Sequence, residues 1–226
     1  MLGVIANTLA IIVGGLVGLL IKKGVPERFS DAIMKGLGLC VLYIAIDGAL
    51  KGTKVLVLII SVAIGAVIGT LLKLDEGIRA LGDKLEKKFK SGDGKSTFAE
   101  GFVTASLLFC VGAMAVVGSL DAGLTGDNST LYTKALLDGI MSIVFASTLG
   151  VGVLFSGVLI FLYQGSITLL SGLLQPLLTD YAIGEITCVG SVLMIAIATN
   201  MMGITKVKVM NLVPAVFIPI LLCTFM

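Results

Sequence analysis

The sequence predicts an all-α, polytopic transmembrane helical bundle, on three observations: its composition, the lengths of its apolar runs, and the sidedness of its basic residues. Of 226 residues, 57% are hydrophobic and 13% charged, and the mean hydropathy is +1.12. Soluble domains carry about 25% charged residues. A soluble chain of this length also keeps a large wet exterior, which this composition cannot furnish. Lipid is the expected solvent, and residues 1–226 read as a single transmembrane domain. The 29 glycines agree with that, because small residues let helices approach closely where water does not drive them together.

A spanning helix needs about 20 mainly apolar residues. Eight stretches qualify: 2–21, 32–50, 54–73, 99–119, 131–149, 152–174, 182–203 and 207–226. The fifth and sixth form one long apolar block, divided at Gly150 and Gly152, where glycine permits a tight turn. Without that division the count is seven. The first stretch has no basic n-region and no small-residue cleavage site behind it, so it reads as a retained span.

Loop charges orient the bundle. Lys22, Lys23 and Arg28, then Lys73, Arg79, Lys84, Lys87, Lys88, Lys90 and Lys95, then Lys206 and Lys208 fall on one side of an eight-span chain. Lys51 and Lys54 fall on the other. The positive-inside rule makes the richer side cytoplasmic and both termini external. Segment 74–98 is then a cytoplasmic connector, and its Leu74, Ile78, Leu81, Leu85 and Phe89 form an amphipathic helical stripe. The GKS at residues 94–96 lacks the glycine and the preceding strand of a phosphate-binding loop.

Several chemistries are excluded. The chain has no histidine, so Ser-His-Asp catalysis, H-E-x-x-H zinc sites and histidine-ligated haem are ruled out. Cys40, Cys110, Cys188 and Cys223 are widely spaced inside apolar runs and read as packing residues. Asp127, in GLTGD, lacks the G-x-G-D arrangement of intramembrane aspartyl proteases. The outer loop 120–130, with Asp121 and Asp127, lacks calcium-loop spacing. The chain is read as no enzyme, with no cofactor or metal. A net charge of +2 without a basic, aromatic patch gives no nucleic-acid partner.

Polar residues at membrane depth are costly and point to function. Lys134, Asp138 and Ser142 lie at i, i+4 and i+8, on one face of the fifth span. Lys134, one turn nearer the outer end, can neutralise Asp138 and is also expected to swing toward water. Gln164, Thr168 and Ser171 share a face of the sixth span. Asn7, Asn200 and Asn211 complete the candidate set; they and Glu185 lie nearer the span ends, with an interface role as the first reading of each. The opposing explanations are structural: an ion pair locking the fifth span to a neighbour, and polar side chains bonding their own helices. Segment 109–119, FCVGAMAVVGS, reads as a broken helix lining a cavity, and Pro214 and Pro219 as kinks in the last span.

Short words recur. Residues 41–46, VLYIAI, return as VLMIAI at 192–197, and Gly15, Leu19 and Leu20 align with Gly165, Leu169 and Leu170. These pair spans 1 and 2 with spans 6 and 7, which run oppositely, and predict an inverted-topology repeat. A rival register sets Ala32 and Gly36 against Ala135 and Gly139, pairing spans 2 and 5.

The stretch from Phe109 to Val153, with FCVGAMAVVGS, GLTGD and KALLDGIMSIVFASTLGVGV, then YQG at 163–165 and the Asn211–Ala215 ending, resembles the YqgA-like bacterial membrane proteins, a family of unknown function. The resemblance covers nearly the whole chain and implies a bacterial cytoplasmic-membrane protein. Lys134, Asp138, Gly139, Ser142 and Gln164 match its pattern.

These readings lead to a small secondary transporter for a small polar solute or ion, with its path between spans 4, 5 and 6 and the opposed repeat. In it Asp138 is the proton carrier or cation ligand, Lys134 the counter-charge, and Gln164 and Ser142 orienting groups. A channel and a non-transporting scaffold are the alternatives. The expected partners are the lipid bilayer, an unidentified small solute or ion, and, as an open case, further copies of the chain.

Overall fold

A computed structural model describes residues 1–22, 27–78, 80, 98–110 and 113–225. Those residues are overwhelmingly helical. The helices are α1 (Leu2–Lys22), α2 (Glu27–Ala49), α3 (Val55–Leu71), α4 (Phe98–Cys110), α5 (Ala113–Leu124), α6 (Ser129–Leu149), α7 (Gly152–Leu169), the single turn α8 (Ser171–Leu174) and α9 (Asp180–Met201). A 3₁₀ helix over Val209–Phe217 then leads into α10 (Ile218–Phe225). Each expected span therefore contains helix.

Four helical stretches are long and apolar enough to cross a membrane: Leu2–Ile21, Ala32–Ala49, Gly152–Leu169 and Asp180–Met201. A fifth arises if α4 and α5, bent by 58°, form one span. The helices Val55–Leu71 and Val209–Thr224 are apolar but shorter, and α6 carries two charges. Length and composition alone thus support four or five crossings rather than eight.

Two boundaries differ from the sequence reading. Helix α5 continues to Leu124, so Asp121 is helical and the outer loop shrinks to residues 125–128. There Asp127 Oδ1 accepts from the Ser129 N–H at 2.9 Å and starts α6, and this bonding holds its carboxyl below the usual carboxylate range. The turn at residue 150 is where glycine predicted it, with Gly150 at φ 82°. In the connector, 74–78 and 80 are helical, whereas Leu81, Leu85 and Phe89 lie outside the described residues.

Close glycine contacts fix the helix directions. Gly3, Gly14 and Gly18 of α1 meet Leu131, Gly139 and Ile143 of α6 in rising order, so these two run parallel. Gly15 meets Leu154, and Gly157 meets Ile11, so α1 and α7 are antiparallel. Gly38 approaches Ala198 and Gly48 approaches Ser191, making α2 and α9 antiparallel. Gly65 and Gly69 of α3 meet Ala215 and Asn211, again antiparallel. Phe98 packs edge-on to Phe155, while farther along Gly123 of α5 reaches Thr168 and Ser171. The bent α4–α5 pair therefore tracks α7 along its whole length in the same direction, as one broken crossing would.

Two helix groups result. One comprises α1 and α4 to α8. The other comprises α2, α3, α9, the 3₁₀ helix and α10. They meet chiefly where α9 touches α4 and α5 and where α2 touches α6, and one apolar cluster containing Ala105, Val116, Ile197 and Val209 bridges them. In α1 the buried positions Val4, Asn7, Ile11, Gly14 and Gly18 repeat at helical spacing. Leu2, Ile5, Leu9, Leu16 and Leu20 face outward, an apolar exterior suited to lipid.

Candidate functional site

The small residues of α1 set up the site. With glycine at its contacts, α1 lies close enough to α6 for a side chain as short as Asn7 to reach Asp138. Asn7 Nδ2 donates to Asp138 Oδ2 at 3.0 Å and to Gln164 Oε1, from α7, at 3.1 Å. Lys134 Nζ stands 2.9 Å from Asp138 Oδ1 and 2.8 Å from Oδ2. Three helices thus converge on one carboxylate. Asn7 and Gln164 are fully buried, and Lys134 and Asp138 are 7% and 6% exposed.

A buried ion pair is retained only when its desolvation is offset by close geometry and further hydrogen bonds. Here Asp138 has them: both oxygens face the ammonium, and one also faces the amide. Yet the cluster is not saturated. Asn7 Oδ1, Gln164 Nε2, Ser142 Oγ, Thr8 Oγ1 and Thr168 Oγ1 are buried with no hydrogen-bond partner. Donor and acceptor capacity therefore surrounds the carboxylate. Such a centre can exchange the ammonium for a proton or a monovalent cation held by the same oxygens.

The structure joins Asn7, Lys134, Asp138 and Gln164 by hydrogen bonds, sets Ser142 and Thr168 one turn further along α6 and α7 without a bond to them, and gives Asn200 and Asn211 partners elsewhere. Asn200 staples the chain after α9: its Oδ1 accepts from Thr205 Oγ1 at 2.7 Å and Val207 N at 2.9 Å, and its Nδ2 donates to Val207 O. Asn211 Oδ1 accepts from the Asp75 N–H at 2.9 Å. The expected reach of Lys134 toward water is not seen either, since its side chain is buried against Asp138.

Glu185 is the buried group that the sequence placed too near the surface. It is 1% exposed, and its Oε1 accepts from Thr53 N, Thr53 Oγ1 and Lys54 N at 2.7, 2.9 and 2.9 Å, so it fixes the turn that leads into α3, while its Oε2 is buried without a hydrogen-bond partner. The available signal was the K-G-T-K turn at 51–54, a helix start with no acidic residue of its own.

Three adjoining cavities lie between the two helix groups. The first, about 310 Å³, is lined by Asp75, Glu100, Thr104, Asn200, Thr205 and Lys206 among others. The second, about 90 Å³, shares Val103 and Met210 with the first and contains Ser106 and Cys110. The third, about 410 Å³, shares Leu159, Tyr163, Val216 and Phe217 with the second and extends to Leu178 and Ile186. From Asn200 to Ile186 is 14 residues of α9, a rise of about 21 Å. The crevice therefore runs through much of the bundle, between α4, α5 and α7 on one side and α9 and the 3₁₀ helix on the other. Residues of spans 4 and 6 line it, and no residue of α6, Asp138 included, is among its lining. Among the described residues no three His, Cys, Asp or Glu cluster in a metal-holding arrangement.

The family model described as "Protein of unknown function (DUF554)" matches residues 2–224. The uncharacterized membrane protein YdfK of Bacillus subtilis (strain 168) is 37% identical over 223 residues, covering 97% of this chain and 94% of the relative. The uncharacterized protein YqgA of Escherichia coli (strain K12) is 27% identical over 220 residues, covering 96% and 94%. No solved structure matches the chain.

Proposed function

Since the chain belongs to the DUF554 family, whose function is unknown, we propose from its own geometry that it is a secondary transporter in the bacterial cytoplasmic membrane. The observation that carries this is the crevice between two helix groups that touch at few places. Rocking of one group against the other exposes such a crevice first on one side and then on the other. Asp138 couples that motion to a proton or cation, because neutralising it releases Lys134 and loosens α1 and α7 from α6. The apolar middle of the crevice, at Leu107, Leu159 and Val213, disfavours a water-filled ion channel.

Eight crossings with both termini outside are part of this reading. The parallel and antiparallel contacts agree with the alternating directions of eight spans, and α4–α5 counts as one. An inverted repeat is also part of it: the helices carrying the repeated words, α2 and α9, pack antiparallel, as do α1 and α7.

The test needs no substrate. Spin labels replacing Lys51 and Tyr132, at the outer ends of the two groups, report their separation in a background without native cysteines. Two distance populations should exchange weight with pH, and Asp138→Asn should freeze one of them. A single distance unmoved by pH would remove the transporter reading. One observation favours a structural rival: the Lys134–Asp138 pair is closed, buried and outside the crevice. Under that rival, Lys134→Met/Asp138→Leu restores a fold that Asp138→Asn loses, and the distances never depend on pH.

A further inference from the structure

Two amides stand in a chain with Asp138, and their hydrogen bonds leave them free to turn over. Asn7 Nδ2 donates to Asp138 Oδ2 at 3.0 Å and to Gln164 Oε1 at 3.1 Å, while Asn7 Oδ1 and Gln164 Nε2 are buried without partners. Both bonds run outward from Asn7, as an ionised carboxylate, an acceptor only, demands. Two other asparagines are locked in direction. Asn128 accepts from Gly3 N and donates to Gly126 O, and Asn200 accepts from Val207 N and donates to Val207 O. Turning either would set donor against donor and acceptor against acceptor. Nothing holds Asn7 or Gln164 in that way, because turning them breaks only the bonds of the chain itself. Amide oxygen and nitrogen are nearly interchangeable in shape. The same two contacts therefore fit the opposite direction, with an Asp138 O–H donating to Asn7 Oδ1 and Gln164 Nε2 donating to that oxygen as well.

We propose that the ion exchanged at Asp138 is the proton and not a metal cation, and that the Asn7 and Gln164 amides turn over together as it binds. This names the coupling ion of the transporter reading and rests on that reading for its role. The proton comes from water on the open side, forms an O–H bond at Oδ2, and breaks no covalent bond in the protein. It adds along a contact already made. A metal ion such as sodium must sit among several oxygens, and at this carboxylate it meets the Lys134 ammonium and the Asn7 amide nitrogen first. Protonation leaves Lys134 as an unpaired buried charge, which is unfavourable until it reaches water. Lys134 is the only charged side chain bonded to Asp138 among the described residues. The elements packed on α6 otherwise carry Lys22 on α1, Glu100 on α4, Asp121 on α5 and the charges of α2, with none on α7. Asn7 and Gln164 act through Asp138 and are positioning residues.

The test is infrared difference spectroscopy of the purified full chain in lipid as pH is lowered, with isotope-labelled asparagine or glutamine. A protonated-carboxyl band should appear that Asp138→Asn removes. With the same midpoint, one asparagine carbonyl band should fall in frequency and one glutamine band should rise, because Asn7 Oδ1 gains bonds and Gln164 Oε1 loses one. Asn7→Leu should abolish the glutamine shift, since Asn7 lies between the other two groups, whereas Gln164→Met should leave the asparagine shift in place. Should Asn7→Leu fail to fold, the opposed shifts in the parent and the Gln164→Met spectrum still decide. Raising sodium at fixed pH should move no band. Amide bands that ignore pH while the carboxyl band appears, bands that respond to sodium, or no Asp138-dependent band down to the pH of unfolding would each overturn the proposal. The bands report local bonding alone. A spectrum that switches while the spin-label distances stand still would therefore end the transporter reading and leave the proton site intact.

Discussion

The two helix groups each bury a carboxylate, and they hold it in opposite ways, with Glu185 Oε2 left without a hydrogen-bond partner. Asp138 faces a lysine ammonium from its own helix and an asparagine amide from α1, so it is held by side chains. Glu185 faces the Thr53 and Lys54 N–H groups, in the turn that leads into α3, and the Thr53 hydroxyl, so one of its oxygens is held chiefly by backbone. A backbone N–H cannot leave without unfolding its turn. A lysine can rotate away, and an amide can turn over. The first arrangement suits a group that changes state, and the second suits a fixed brace between α9 and α3.

The sharpest way to break this contrast is to remove one charge from the side-chain pair. Asp138→Leu leaves Lys134 buried and alone, and should cost about 3–5 kcal/mol in denaturant unfolding from detergent. Adding Lys134→Met should recover most of that. If the double variant stays as unstable as the single one, the cost does not come from a buried, unpaired Lys134.

Next in size is the packing that brings Asn7 to Asp138. A side chain on Gly14 would meet the Gly139 carbonyl, so Gly14→Ala should cost about 1–3 kcal/mol. Gly36 of α2 has open space around it, so Gly36→Ala should change stability by less than about 0.5 kcal/mol, apart from a small gain in helix propensity. Equal effects at the two sites would show that the close approach of α1 and α6 is not what holds the cluster.

Glu185→Gln keeps one acceptor oxygen for Thr53 and Lys54 but loses the charge that favours a helix N-terminus. Its expected cost is about 1–2 kcal/mol, with hydrogen exchange rising at the first turn of α3 alone. The spin-label distances should be unaffected. A shift in those distances would make Glu185 a second coupling group rather than a brace.

The smallest effect belongs to Asp127. Its carboxyl is held below the usual range by the Ser129 N–H and hydroxyl, so its contribution is present above the ordinary carboxylate range and is lost as pH falls through the lowered value. Asp127→Ala should therefore destabilise slightly at neutral pH, and the difference from the parent should vanish in strong acid.

Much of this was legible in the sequence. Spacing alone placed Lys134, Asp138 and Ser142 on one face, because helical periodicity is local, and Gly150 marked its turn because φ is a property of one residue. The glycines of 109–119 pointed to a broken helix; α4 and α5 are inclined by 58° to each other, and residues 111 and 112 between them lie outside the described residues. Asn7 stood in the candidate set, but nothing local showed that it bridges Asp138 and Gln164, which lie 131 and 157 residues away. The pairing of Lys134 with Asp138 was readable from their i, i+4 spacing, whereas the burial of the pair depends on neighbours that spacing does not name. Asn200 and Asn211 looked like ligands because they are polar at membrane depth. They serve instead the irregular backbone around the 3₁₀ helix, whose orphan groups no apolar pattern announces. The crevice was least legible, since it arises from which helices fail to pack together.

The parallel contact of α1 with α6 has a consequence for biogenesis. Helix α1 packs on residues about 125 positions farther along, and α2 and α3 pair with α9 and the 3₁₀ helix, later still. During synthesis, then, Asn7 resides in lipid with its amide unmatched until α6 and α7 arrive, and Lys134 and Asp138 enter already paired on one helix. The early helices must persist as separate insertions, and the chain acquires its native neighbours almost entirely in its second half. Truncation anywhere before residue 129 should leave stable membrane insertion but no compact, protease-resistant core.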